Sequence, residues 1–161
     1  MTGGAVELVT GRTDDGAVAV AARLLHDFNV EYGEPTPPPH ELAERLVELI
    51  ADDHVTVLLT REPATGTGVG VAVLRLQPSL WSRTREAYLA ELYVVPDRRG
   101  RGHGRELLAE CLQVARARGA TYALVVTSEQ DRSAQRLYAA AGFRRTEGEG
   151  GPVMLAYERD L

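Results

Sequence analysis

The first apolar run, AVELVT at residues 5–10, is short and reads as a strand. From Val18 the spacing lengthens, and Val18, Ala21, Ala22, Leu25 and Phe28 recur on one helical stripe. The stripe stops at YGEPTPPP, where Gly33 and four prolines forbid a continuing helix. A second helical pattern starts between Pro38 and Glu41 and carries Leu42, Leu46, Leu49 and Ile50. Two helices joined by a proline-rich loop would cover one side of a sheet or wall a cleft.

Three extended runs follow: HVTVLLT, VGVAVLRL and AYLAELYVV. Their near-continuous apolar character marks interior strands covered on both faces. REPATGTG between the first two suits a long hairpin, and the polar QPSLWSRTRE joins the second to the third. In the third, strict alternation puts Tyr88, Ala90, Leu92 and Val94 on one face and Leu89, Glu91, Tyr93 and Val95 on the other. A glycine-rich loop then opens a helix with Leu107, Leu108, Cys111, Leu112 and Ala115 on one face, ended near Gly119. TYALVVT predicts another strand. A last amphipathic helix presents Ala134, Leu137, Tyr138 and Ala141 and ends at Gly142, and PVMLAYER predicts a final strand. With no repeat or linker, this order predicts one α/β domain over residues 1–161, built on a mixed sheet.

Composition narrows the chemistry. The chain carries no lysine, so all 18 basic residues are arginine, which excludes Schiff-base catalysis and a Walker-type phosphate loop. A formal net charge of −5 argues against a protein that holds nucleic acid by its phosphates. No apolar run reaches membrane-spanning length, and MTGGAVELVTGR lacks a basic region followed by an apolar one, which predicts a cytoplasmic chain without a secretory signal. A single cysteine permits neither an internal disulfide nor a thiolate metal cluster, and no metal site is expected.

DRRGRGHGRELL, residues 97–108, sets Gly100, Gly102 and Gly104 among Arg98, Arg99, Arg101 and Arg105 just before a helix. Unpaired N–H groups and the helix dipole make such a turn an anion site, and the guanidinium groups add charge-assisted donors for phosphate. A dinucleotide fingerprint is not met, because Leu107 stands where the third glycine belongs. A loop rich in glycine for turn reasons alone is the competing reading.

LYVVPDRRGRGHGRELL resembles the acetyl-CoA signature of the GNAT superfamily of N-acetyltransferases, [Q/R]-x-x-G-x-[G/A], which Arg99 to Gly104 satisfy at every specified position. DRSAQRLYAAAGF is similar to the family's second block, N-x-x-A-x-x-L-Y-x-x-x-G-F, in the matching order and at a matching separation. The resemblance implies a mostly antiparallel sheet with helices on both faces and acetyl-CoA as co-substrate. It implies that the diphosphate rests on the backbone of Arg99, Gly100, Arg101, Gly102, His103, Gly104 and Arg105. The pantetheine arm would run beside Leu92, Tyr93 and Val94 like an added strand, in a gap opened by a bulge. His103 is expected as a solvent-exposed donor near phosphate. Asp131 stands where the family has asparagine; it can accept hydrogen bonds and cap a helix but cannot donate an amide N–H to the coenzyme.

The implied reaction is attack of a free amine on a thioester. Tyr138 matches the family tyrosine that donates to the departing sulfur, although its stripe equally suits core packing. Glu91, a carboxylate inside an apolar strand, is the candidate base; an edge-facing or helix-paired glutamate is the alternative. Cys111 shares a buried stripe, which disfavours a covalent acetyl-cysteine and favours direct transfer. The acceptor, a small-molecule amine, would lie near Phe28, Asn29, Glu31, Tyr32 and Trp81. A peptide amine, or a non-catalytic acyl-CoA sensor, is the alternative function, and the resemblance also suggests a homodimer.

Overall fold

The computed structural model describes residues 5–11 and 16–161, so part of the N-terminal stretch read for a signal lies outside the described residues. The chain divides into two compact units, Met1–Val125 and Val126–Leu161. In the first, strands β1 (Val6–Val9), β2 (Val55–Arg61), β3 (Gly68–Pro78), β4 (Arg85–Val94) and β5 (Ala120–Val125) form one sheet in chain order. The first four are antiparallel to their neighbours; β5 runs parallel to β4 because helix α3 (His103–Ala117) intervenes. The result is a mixed α/β fold with a mostly antiparallel sheet.

Helices α1 (Ala17–Tyr32) and α2 (Pro39–Ala51) cover one face. Pro39 opens α2, where its missing N–H costs nothing. Ala17, Val18, Ala21, Ala22 and Leu24 of α1, with Leu46 of α2, pack on Val9, Val57, Leu59, Val71, Val73 and Tyr93. On the opposite face α3 buries Leu107, Leu108, Cys111 and Ala115, the last against Leu74, Ala87 and Ala120. Each fully buried leucine contributes about 1.5–3 kcal/mol.

The pairing of β3 with β4 breaks step at one place. Val73 pairs with Glu91 and Leu74 with Leu89, so Ala90 is an extra residue, a β-bulge. It corrects the strict alternation expected from the sequence. Cross-strand partners share a face, so Leu89 lies with Leu74 on the α3 side, whereas Glu91 and Tyr93 lie with Val73 and Val71 on the α1 side.

In the second unit, helix α4 (Arg132–Ala140) is capped by Asp131, whose Oδ1 accepts from the Ala134 amide at 2.9 Å. The strand expected over PVMLAYER does not form. Glu147 N–H donates to Pro152 O and Met154 N–H to Arg145 O, closing a turn with one isolated bridge, Thr146 to Val153. Beyond it the apolar residues Leu155, Tyr157 and Leu161 are exposed, without a ladder partner among the described residues. An apolar pattern makes a strand only where a neighbour supplies hydrogen bonds.

Candidate functional site

β4 ends at Val94, and a short 3₁₀ turn, Pro96–Arg98, redirects the chain into the glycine loop. Gly100 and Gly102 take φ of 76° and 96°, values that favour glycine, and Gly102 is the N-cap of α3. The Arg98 amide donates to Val95 O, the Arg99 amide to Pro96 O and the Glu106 amide to Gly102 O. Between them the N–H groups of Gly100, Arg101, Gly102, His103, Gly104 and Arg105 have no acceptor among the described residues. These six successive donors, at the positive end of a four-turn helix, form an anion cradle.

The arginines divide in two. Arg98 donates to both Glu62 oxygens at 3.0 and 3.2 Å and to Asp97 at 2.7 Å. Arg99 donates to both Glu31 oxygens at 2.8 Å and through Nε to Val94 O at 2.9 Å. Arg101 and Arg105 are exposed and have no ion pair or hydrogen-bonded side-chain partner among the described residues. The free amides therefore start at Gly100, one residue later than the sequence reading placed them, and the free guanidinium groups are those of Arg101 and Arg105.

The cradle adjoins an open sheet edge. β4 pairs with β5 only from Arg85 to Leu89, and the ladder stops where the bulge begins. Val95 N–H donates to Val69 O, on the β3 side. Backbone groups alternate along a strand, so Tyr93 also turns its N–H and C=O toward β3, while Leu92 and Val94 turn theirs to the side β5 has left. Leu92 and the Val94 N–H are thus available to an added strand, and Arg99 takes the Val94 carbonyl. Tyr93, expected from the sequence to offer main-chain contacts there, contributes a side chain instead.

That ring is the hub of a cluster on the α1 face. Phe28 stacks on Tyr93 at 5.2 Å and meets Tyr32 edge-on at 5.2 Å, and the Arg99 guanidinium lies 5.7 Å from the centre of the Tyr93 ring. Burial, a hydrogen bond to Glu31 and the Glu31 charge push the Tyr93 phenol up to about 12, so it remains a donor across the physiological range. Glu31 therefore accepts from both Arg99 and Tyr93. Glu91 occupies the same sheet face, and burial raises its carboxyl above 4.5 despite the Arg75 charge.

The remaining candidates divide. Asn29 donates to Pro35 O and braces the exit from α1. Trp81, 87% exposed, sits in the β3–β4 connection, before Arg85 and hence at the far end of β4 from Tyr93; it does not join the cluster. His103, expected at the surface, is only 6% exposed: as the first residue of α3 it lines a cavity with Glu62, Pro63, Ala64 and Arg101. Cys111 is buried, and its thiol is pushed up to about 12 by burial. Tyr138, in the second unit, packs edge-on against Phe143 at 5.8 Å. The Arg99–Glu31 pair, 68 residues apart, and the Tyr93 hub were missed by sequence reasoning, since only the fold brings them together.

Comparison with known proteins agrees with this geometry. Residues 20–143 match the acetyltransferase (GNAT) family model. Over 90 residues the chain is 31% identical to thialysine N-epsilon-acetyltransferase of Bos taurus, a match covering 55% of this chain and about half, 52%, of that relative. A crystal structure from Arthrobacter sp. FB24, of a protein assigned as an acetyltransferase, is 41% identical over 98% of this chain and 96% of its own, with a TM-score of 0.84. An aminoglycoside acetyltransferase from an uncultured soil metagenomic sample, solved with sisomicin, shares the fold at 17% identity and a TM-score of 0.75, over 98% of this chain and 95% of its own.

Proposed function

The chain belongs to the GNAT acetyltransferase family and is an acyltransferase, and we propose that it moves the acetyl group of acetyl-CoA onto a primary amine of a small molecule by direct attack in a ternary complex. The observation that carries this reading is the meeting of six unspent amides, Gly100 to Arg105, with the open edge of β4 beyond Leu89. The diphosphate rests on those amides, with Arg101 and Arg105 adding charge-assisted bonds. The pantetheine arm pairs with Leu92 and Val94 as an extra strand would.

The amine nitrogen attacks the thioester carbon, the C–S bond breaks, and the sulfur leaves with its electron pair. An alkyl ammonium, with a pKa of about 10, must first lose a proton. Glu91 receives it through water, and the burial that raises its carboxyl also makes its carboxylate a stronger base. Tyr138 protonates the departing sulfur, a role resting on its place in the Leu137–Tyr138 motif. Phe28 and Tyr32 supply an aromatic wall for the acceptor. Glu31 orients Arg99 and Tyr93 and does not bind the amine, because its oxygens are already engaged. The relative named for thialysine favours a small acceptor over a peptide.

Thiol release from acetyl-CoA, measured against a panel of small amines, lysine-bearing peptides and no acceptor, tests the proposal. Turnover with at least one small amine, and none without acceptor, is expected. Stabilisation of the fold by NAD but by neither acetyl-CoA nor CoA would overturn it.

A further inference from the structure

The face of the sheet that carries Glu91 changes character along β3. Gly68 to Leu74 are buried, and from Arg75 onward the strand is exposed or half-buried. Arg75 pairs with Val55 on β2 and with Tyr88 on β4, and Val55 packs in the core beneath α1, so Arg75 points to the α1 side. Val73, two residues before it on the same face, pairs with Glu91. Arg75 is thus the diagonal neighbour of Glu91, with Cβ atoms about 7–8 Å apart, a separation that a long side chain spans. Along this face Tyr93 and the aromatic cluster lie on the cradle side of Glu91, and Tyr88 and Arg75 lie on the other.

Arg75 is exposed and makes no side-chain hydrogen bond or ion pair among the described residues. The carboxylates around it are engaged elsewhere or stand apart. Glu91 feels the guanidinium charge without bonding to it. Glu86, the other diagonal neighbour on β4, accepts from Ser79 Oγ at 2.9 Å. Asp53, two residues before Val55, is met by Arg118 at 3.3 Å and Arg85 at 3.6 Å. One face therefore holds a half-buried carboxylate, which suits an ammonium, beside an unspent guanidinium, whose planar fork matches a second carboxylate.

We propose that Arg75 is a specificity-determining residue of the acceptor site: it binds a carboxylate of the acceptor while Glu91 meets the amine, so the favoured acceptor is a small amine that also bears a carboxylate. The proposal rests on the acetyl-transfer reading above, in which Glu91 receives the amine proton, and narrows it from amines in general to amino carboxylates. The transfer itself is unchanged. The N–C bond forms, the C–S bond breaks, and the acceptor carboxylate takes no part beyond orientation.

Thiol release from acetyl-CoA by the full chain, with a length series of ω-amino acids each set beside its own carboxamide, tests it. The amide keeps the amine and the length and removes only the charge. At the best length the wild-type protein is expected to prefer the acid by at least about tenfold in kcat/KM, chiefly through KM, as a charge-assisted contact implies. In Arg75→Gln the KM of the acid should rise by about that factor, bringing acid and amide to within about twofold of each other. Arg75→Glu should invert the preference, and Arg75→Lys, which keeps the charge and loses the fork, should retain part of it. A coenzyme-induced rise in Tm in each variant shows that it folds. Equal kcat/KM for acid and amide at every length in the wild-type protein, turnover confined to amines without a carboxylate, or a preference that survives Arg75→Gln and Arg75→Glu overturns the assignment. So does a result in which Arg75→Gln shifts the acidic limb of the pH–rate profile and moves acid and amide together, since Arg75 would then act only on Glu91. If no amine of any kind releases thiol, the proposed function itself fails, a result distinct from equal turnover of the pairs.

Discussion

At Gly70 an added side chain would crowd α3, β2 and β4 at once, and Gly70→Ala tests that packing. A methyl group there would lie 2.9 Å from Leu107 Cδ1, 2.9 Å from Thr60 Cγ2 and 3.1 Å from the carbonyl oxygen of Tyr93. Leu107 and Thr60 are both fully buried, and the Tyr93 oxygen is backbone held toward β3, so none of the three yields freely. Overpacking a well-filled core costs about 1–3 kcal/mol. Removing a glycine from the unfolded ensemble returns about 0.4–1 kcal/mol, since Gly70 has no left-handed φ that alanine would strain. Taken at the middle of both ranges, the net expectation is a loss of about 1.3 kcal/mol, or about 3–5 °C in Tm for a chain of this size. Thermal unfolding by circular dichroism reads it. The double variant Gly70→Ala/Leu107→Ala is the control: deleting the leucine creates room, so the two effects should fall short of additivity by at least about 0.5 kcal/mol. An unchanged or higher Tm for Gly70→Ala, or strict additivity, would refute this account of how β3 seats α3.

Further substitutions address the chemistry. Glu91→Gln is expected to lower kcat by about 100-fold or more and to abolish the acidic limb of the pH–rate profile, which steady-state thiol release would show. The same variant has a stability signature. A carboxyl whose folded-state value is raised binds its proton more tightly when folded, so its charged form opposes folding at neutral pH. That penalty fades as pH falls through the raised value toward 4.5, and Glu91→Gln should therefore be the more stable protein at pH 7 and lose that advantage by about pH 4. Cys111, with its thiol pushed up to about 12, should resist alkylation in the native state, and Cys111→Ala should keep its acetyl transfer, as rates of labelling and turnover would reveal. Asp131→Ala should cost about 1 kcal/mol through loss of the α4 cap, whereas Asp131→Asn should cost little; denaturant titration compares them.

Much of this architecture can be read from the chain because local signals and tertiary packing agree. The Val18-to-Phe28 stripe, the prolines at 35–39 and the apolar runs of β2 and β3 each announce their element, and the stripe and the two runs pack into the core as their spacing implies. The glycine loop is legible for the same reason, since its backbone geometry is dictated by residue type. What stays hidden depends on register and on distant partners. Alternation through AYLAELYVV assumes an unbroken ladder, and the bulge at Ala90 reverses it midway, putting Leu89 and Glu91 on opposite faces. The cavity that His103 lines takes its other wall from a hairpin turn some 40 residues earlier, and the engagement of Arg99 depends on Glu31, 68 residues away. PVMLAYER has the composition of a strand, but composition does not supply a neighbour.

The central claim is that the amides of the glycine loop and the open edge of β4 together receive the coenzyme. Backbone N–H resonances followed while CoA is titrated into ¹⁵N-labelled protein test it at single-residue level. The account requires the largest shifts at Gly100 to Arg105 and at Leu92 and Val94, with Tyr93 N–H, turned toward β3, nearly still. Shifts confined to other regions, or a Tyr93 amide that moves while Leu92 and Val94 do not, would contradict it.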